Sequence, residues 1–197
     1  MIKIKFCGLR TLEDIDAANK ILPEYVGFVF APKSKRYVTP TQAMELRNAL
    51  DKKIAAVGVF VNENVSIVAE LLNNGTIDVA QLHGNETNDY IKNLRGLTDK
   101  PIIKAFQSDN IAAAESSSAD YVLLDGGAGD GKVFDWTQIN LRRKYFLAGG
   151  LTVENVGAAI ELLHPFAVDV SSGTETNGRK DFGKMAAFAN AVRKVFV

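Results

Sequence analysis

A chain of 197 residues with 47% hydrophobic and 23% charged content has the makeup of a soluble globular protein, and a domain this size buries about 70% of its unfolded surface. Its 23 basic residues balance 23 acidic ones, so no net field favours nucleic acid or an anionic membrane. No run reaches the ~18 apolar residues of a membrane span, and one cysteine cannot form an internal disulfide.

That lone thiol fits a reducing compartment. With no signal-peptide pattern at the N-terminus, the cytoplasm is the expected location. The first stretch, Ile2–Arg10, alternates Ile2, Ile4 and Phe6 with Lys3 and Lys5, the period of a strand, and the strand ends on Cys7. Gly8 breaks it. Thr11-Leu-Glu-Asp then opens a helix to Ile21, which Pro23 stops. A second strand, Tyr25–Phe30, leads through the polar loop Ala31–Thr39 to a helix at Pro40–Leu50 with proline in its first turn. Lys53–Val61 and Ile77–Leu82 are the third and fourth strands, followed by helices at Glu63–Asn73 and Glu86–Leu94; Asn74-Gly75 ends the first of these helices. Pro101–Phe106 is the fifth strand, with a weak serine-rich helix at Ser108–Ser118. Tyr121–Asp125 is the sixth, followed by the glycine-rich loop Gly126–Lys132 and a poorly patterned connection through Phe134-Asp-Trp. Tyr145–Ala148 with the helix Thr152–Leu163, and Phe166–Val170 with the helix Asp181–Val195, complete the chain.

Continuous apolar strands separated by helices imply a sheet buried on both faces, hence parallel. Eight such units over residues 1–197 predict a single compact (β/α)8 barrel domain, with degenerate helical segments after strands five and six to fit a length below the usual ~250 residues. The rival is an open doubly wound sheet. Its dinucleotide-binding version lacks support, because no Gly-x-Gly-x-x-Gly follows the first strand.

In a barrel, the residues just past each strand share the functional face. Here they are Cys7; the loop cations Lys33, Lys35 and Arg36; Gln81 and His83; Asp125; Gly149 and Gly150; and Asp169, Ser171, Ser172 and Gly173. Gly149-Gly150-Leu151-Thr152 leads into a helix, so its amides and the helix dipole suit a phosphate. Ser171-Ser172-Gly173 adds donors at the neighbouring strand, the usual phosphate position of this fold. The bland alternative is two glycine turns. Asp125 leaves a buried strand where a carboxyl group can keep a proton for general acid work, or simply cap a turn. Cys7 is a base near the working range or a small buried hydrophobe. Arg36 offers a fork for a carboxylate, or is solvated. A thiol and a carboxyl group facing one sugar phosphate point to proton shuffling. Neither metal-ligand spacing nor a nucleophilic triad is evident, and no cofactor is expected.

Taken together, Lys5-Phe-Cys-Gly-Leu, the run from Gly27 to Val38, Val57-Gly-Val-Phe-Val-Asn, Gln81-Leu-His-Gly, Leu123-Leu-Asp, Phe134-Asp-Trp, Leu147-Ala-Gly-Gly-Leu, Asn155-Val, Asp169-Val-Ser-Ser-Gly-Thr-Glu and Gly178-Arg-Lys-Asp resemble the phosphoribosylanthranilate isomerase family of tryptophan biosynthesis in its own order. The resemblance covers nearly the whole chain. It implies a cofactor-free barrel that converts N-(5-phosphoribosyl)anthranilate to 1-(2-carboxyphenylamino)-1-deoxyribulose 5-phosphate by Amadori rearrangement. Asp125 is then the general acid and Cys7 the base. Arg36 holds the anthranilate carboxylate, and Gly149, Gly150, Ser171, Ser172 and Gly173 surround the phosphate. Gln81, His83 and Asp169 match family positions that line the pocket. Thr174 departs from the family's more frequent valine.

The competing enzyme is another phosphosugar barrel, such as the histidine-pathway aminoaldose isomerase, which resembles a pattern with aspartate at the position of Cys7. A phosphate-ligand binding protein without catalysis is the non-enzymatic alternative. The expected partners are a small phosphosugar and no nucleic acid or membrane, with the chain as a monomer or homodimer.

Overall fold

The structure, a computed structural model, describes residues 1–126 and 139–195. The expected glycine-rich loop from Gly127 onward and the Phe134-Asp-Trp segment lie outside the described residues. Strands β1 (Lys3–Cys7), β2 (Tyr25–Val29), β3 (Ala55–Phe60), β4 (Val79–Leu82), β5 (Ile102–Gln107), β6 (Tyr121–Asp125), β7 (Tyr145–Ala148) and β8 (Ala167–Val170) pair in chain order. Every pairing is parallel, and β8 returns to β1 with Lys5 beside Asp169 and Phe6 beside Val170. An open doubly wound sheet would leave two edges; here the edges meet, so the barrel is closed.

Helices α1 (Leu12–Ile21), α2 (Pro40–Ala49), α3 (Val65–Asn73), α4 (Asn88–Arg95), α5 (Ile111–Glu115), α6 (Val156–Leu163) and α7 (Phe182–Lys194) surround it. Polar caps start most of them. Thr11, Asn64, Thr87 and Asp181 each accept a first-turn N–H, as does Thr39 ahead of Pro40. Thr11 with Asp14 and Thr39 with Gln42 form reciprocal capping boxes, a cap being worth about 1 kcal/mol. Helix α5 has five residues and no side-chain cap, as the serine-rich stretch led us to expect. After β8 comes a 3-10 turn at Ser172–Thr174, then a hairpin of β9 (Glu175–Thr176) and β10 (Arg179–Lys180). Strands of two residues carry no periodicity, so no sequence signal marked them.

The alternation along β1 has a consequence for the site. Ile4 and Phe6 face outward into the helix layer, where Phe6 meets Phe188 of α7 edge-on at 6.2 Å. Lys3, Lys5 and Cys7 therefore face the barrel interior. On the other strands, the interior positions near the floor are apolar: Val57, Val79, Ile103, Leu123, Phe146 and Ala167 form one buried cluster. Tyr25, Tyr121, Phe146 and Phe166 close the bottom with ring contacts of 5.0–5.9 Å. Two residues further along β4, β6 and β8 the same interior face turns polar. Leu123 gives way to Asp125, Val79 to Gln81, and Ala167 to Asp169. The period of two thus carries the chain from a greasy floor to a polar rim.

Candidate active site

That rim encloses a cavity of about 280 Å³. Cys7, Arg36, Gln81, His83, Asp125, Gly149, Gly150, Asp169, Ser171, Ser172 and Gly173 all line it, while Lys33 and Lys35, the other cations of the loop after β2, do not. The topology orders them. Strands β7 and β8 lie between β6 and β1, which places the glycine and serine loops between Asp125 and Cys7. Arg36 enters from the loop after β2, on the other side of Cys7.

Cys7 is held closely. A β-carbon at Gly27, opposite it on β2, would lie 2.8 Å from its sulfur, so only glycine leaves the thiol its place. The Cys7 carbonyl accepts a 3.0 Å hydrogen bond from the Ser171 hydroxyl, tying the β8 loop to the β1 end. Below it, the Lys5 ammonium is fully buried and lies 2.9 Å from both carboxylate oxygens of Asp169. Burial pushes the Cys7 thiol up, Lys5 opposes that, and burial wins. Burial pulls the Lys5 ammonium down, but Asp169 and then Cys7 outweigh it, and Lys5 ends above its ordinary value. Lys5 was not among the expected site residues. The available signal was its spacing, two residues before Cys7 on one strand face.

Arg36 also has a partner the sequence did not single out. Its Nε and Nη2 donate to the two oxygens of Glu175 at 2.6 and 2.8 Å, a bidentate fork. Glu175 accepts from Lys180 as well, at 3.1 Å. Burial pushes the Glu175 carboxyl up, but Arg36 and Lys180 outweigh it and hold it below the usual carboxylate range. Lys180 Nζ further donates to the Ser171 carbonyl at 2.8 Å. The short hairpin therefore braces both Arg36 and the β8 loop, and Nη1 of Arg36 is on the side of the guanidinium away from this fork.

Two expectations about the anion loops change. Gly149-Gly150 does not run directly into a helix: α6 begins at Val156, after a turn at residues 153–155. Asn155 causes the delay, since its Oδ1 accepts from Thr152 N at 2.8 Å while its Nδ2 donates to the Gly150 carbonyl at 2.9 Å. The loop is thus closed by a side chain and not by the first helical turn. The Ser171 hydroxyl, for its part, donates to the Cys7 carbonyl, so it is already engaged within the fold.

On the β4 side, Gln81 Nε2 lies 2.9 Å from His83 Nδ1, and His83 Nε2 lies 3.4 Å from Asp125 Oδ2. A wider groove of about 550 Å³ adjoins the cavity, sharing Val61 and His83. The charged groups framing it are paired: Lys104 donates to Glu86 and to the Leu82 and Gly84 carbonyls, while Glu86 accepts from the Asn62 and Gly84 amides. Among the described residues, no cluster of three or more His, Cys, Asp or Glu is placed to hold a metal. No helix among them is long and apolar enough to cross a membrane.

The sequence profile of N-(5'-phosphoribosyl)anthranilate isomerase matches residues 4–191. A protein of that name from Thermoanaerobacter is 43% identical over 203 residues, covering 99% of this chain and 100% of the relative. The crystal structure of phosphoribosyl anthranilate isomerase from Thermotoga maritima superposes with a TM-score of 0.88 at 33% identity, over 98% of this chain and 99% of that one. Another structure of the enzyme, in complex with reduced 1-(o-carboxyphenylamino)-1-deoxyribulose 5-phosphate, superposes at 0.85 with 33% identity over the same shares of each chain. With matches that run the full length and a closed barrel of the same form, this chain belongs to the N-(5'-phosphoribosyl)anthranilate isomerase family.

Proposed function

We propose that the chain isomerises N-(5-phosphoribosyl)anthranilate to 1-(2-carboxyphenylamino)-1-deoxyribulose 5-phosphate, with Asp125 as acid and Cys7 as base. One observation carries the assignment of roles. Asp125 and Cys7 line one small cavity from strands β6 and β1, with the glycine and serine loops of β7 and β8 between them and a guanidinium beyond Cys7. The substrate calls for those same four groups: amides for its phosphate, an acid for the ring oxygen, a base for the C2′ proton and a cation for the carboxylate.

The chemistry follows from those positions. Protonated Asp125 gives its proton to the ribose ring oxygen. The C1′–O bond breaks, and the anthranilate nitrogen lone pair forms a C1′=N iminium. Cys7 as thiolate takes the C2′ proton. The C–H electrons become the C1′=C2′ bond, and the C=N electrons return to nitrogen, giving an enolamine. The enol O–H proton is lost to solvent as C1′ gains one, which forms the ketone. Asp125 regains a proton and Cys7 loses one to solvent, so the enzyme ends as it began. Arg36, its fork edge fixed on Glu175, offers Nη1 to the anthranilate carboxylate. The loops at Gly149-Gly150 and Ser171–Gly173 surround the phosphate through their amides.

The test is a fluorescence assay in which phosphoribosylanthranilate is made in the cuvette and its signal followed. Added protein should make the signal decay far faster than spontaneous loss. Folded protein with no effect on the decay would sink the reading.

The phosphate loops support a further expectation. A β-carbon at Gly173 would sit 2.1 Å from the Leu151 carbonyl oxygen, so Gly173→Ala forces the β7 and β8 loops apart. A charge-assisted hydrogen bond is worth about 1.5–3 kcal/mol. Losing one raises KM about 10- to 100-fold, with inhibition by inorganic phosphate weakened in parallel. A KM within twofold of wild type would remove these loops from phosphate binding.

A further inference from the structure

Gln81 points into the barrel from β4 and is 1% exposed. Its Nε2 meets His83 Nδ1 at 2.9 Å. A carboxamide nitrogen only donates, so Nδ1 must accept, and the neutral ring then carries its proton on Nε2. That nitrogen stands 3.4 Å from Asp125 Oδ2. The chain of contacts therefore has a single polarity, amide N–H to imidazole and imidazole N–H to carboxyl group. The other end of the same amide is different: Oε1 is buried and has no hydrogen-bond partner among the described residues. Buried acceptors are almost always paired, and this one belongs to a side chain lining the cavity.

We propose that Gln81 is a positioning residue for the acid step: it fixes the His83 tautomer that keeps an N–H on Asp125, while its Oε1 accepts a hydroxyl group of the bound sugar. The inference rests on Asp125 being the acid. As Asp125 gives up its proton it becomes a carboxylate, and an N–H standing 3.4 Å from Oδ2 is drawn into a hydrogen bond as that charge develops. The opposite tautomer would turn a lone pair toward the same oxygen and oppose the transfer. Sugar binding and tautomer are linked, because a hydroxyl donating to Oε1 prevents the amide from rotating to offer that oxygen to the ring. The two ends of one carboxamide thus read the substrate and set the state of the acid.

The test uses Gln81→Glu and Gln81→Met. Glutamate keeps the shape but accepts at both oxygens, so it draws the imidazole proton to Nδ1; methionine removes both contacts. The chain has two histidines, His83 and His164, and nitrogen-15 imidazole spectra at pH 8 are assigned with His164→Asn. Wild type should show His83 protonated on Nε2, and Gln81→Glu on Nδ1. Turnover should fall about 10- to 100-fold in both variants, with KM also raised in Gln81→Met and circular dichroism unchanged. A wild-type ring protonated on Nδ1 would overturn the proposal. So would a Gln81→Glu variant that shifts the tautomer yet keeps kcat within twofold. The spectra need no substrate, so they judge the tautomer even where a lack of wild-type turnover defeats the functional reading.

Discussion

Cys7→Ser is expected to lower kcat/KM for phosphoribosylanthranilate at least about 100-fold, and Asp125→Asn to do the same, since a positioned acid or base contributes that much or more. Serine fills nearly the same space under Gly27, so geometry is kept and basicity is lost. A hydroxyl stays protonated at any pH the protein tolerates, whereas a thiol ionises in the mildly alkaline range. The wild-type profile carries the sharper signature. Burial holds the Cys7 thiol above its ordinary value despite Lys5, so at neutral pH only a small fraction of the free enzyme carries the thiolate. The acid limb of kcat/KM should therefore keep rising past the ordinary thiol range, by up to about tenfold per pH unit. Stopped-flow or initial-rate assays across pH would show it. A flat profile, or a serine variant as active as wild type, would remove Cys7 from the base role and leave the family assignment untouched.

How far the sequence reached is clearest on β1. The alternation of Ile4 and Phe6 with Lys3 and Lys5 marks a strand, but its usual reading, apolar inside and polar outside, is reversed here. In a barrel wrapped by helices, the outer sheet face is the larger apolar core, and the upper lumen is where polar groups collect. Cys7 was legible because a strand end before a glycine turn has a known place in this fold. Lys5 was not, because a lysine in a strand is read as solvated until the parity of the barrel is known. Arg36 and Glu175 show the other limit. Their fork joins residues 139 positions apart, and no local pattern encodes such a contact. The Gly149-Gly150 loop failed for a local reason: Asn155 closes it by side-chain bonds, so the helix starts later than its apolar period suggests.

Lys5→Met should be the most destabilising single change within the site. Lys5 is fully buried and Asp169 only 8% exposed, and the ammonium bonds both carboxylate oxygens at 2.9 Å. Removing the cation leaves a buried carboxylate beside a partly buried thiol, and breaking such a pair from one side costs about 3–5 kcal/mol. Against a typical total of about 5–15 kcal/mol, that lowers the melting temperature by roughly 6–20 °C at this chain length. The contribution has a fixed pH sense. Lys5 is raised in the fold, so its stabilisation is fully present below the unfolded lysine value near ~10.4 and fades only as pH climbs through the folded value. The penalty of Lys5→Met, measured by urea unfolding, should accordingly be as large at pH 9 as at pH 7. Adding Asp169→Asn to Lys5→Met removes the stranded charge and should restore more than half of the loss, because a neutral amide costs far less to bury than an unpaired carboxylate. A double variant no more stable than Lys5→Met alone would mean that the lysine stem's packing, and not the ion pair, holds this layer of the barrel. Lys5 would then matter to Cys7 through shape alone.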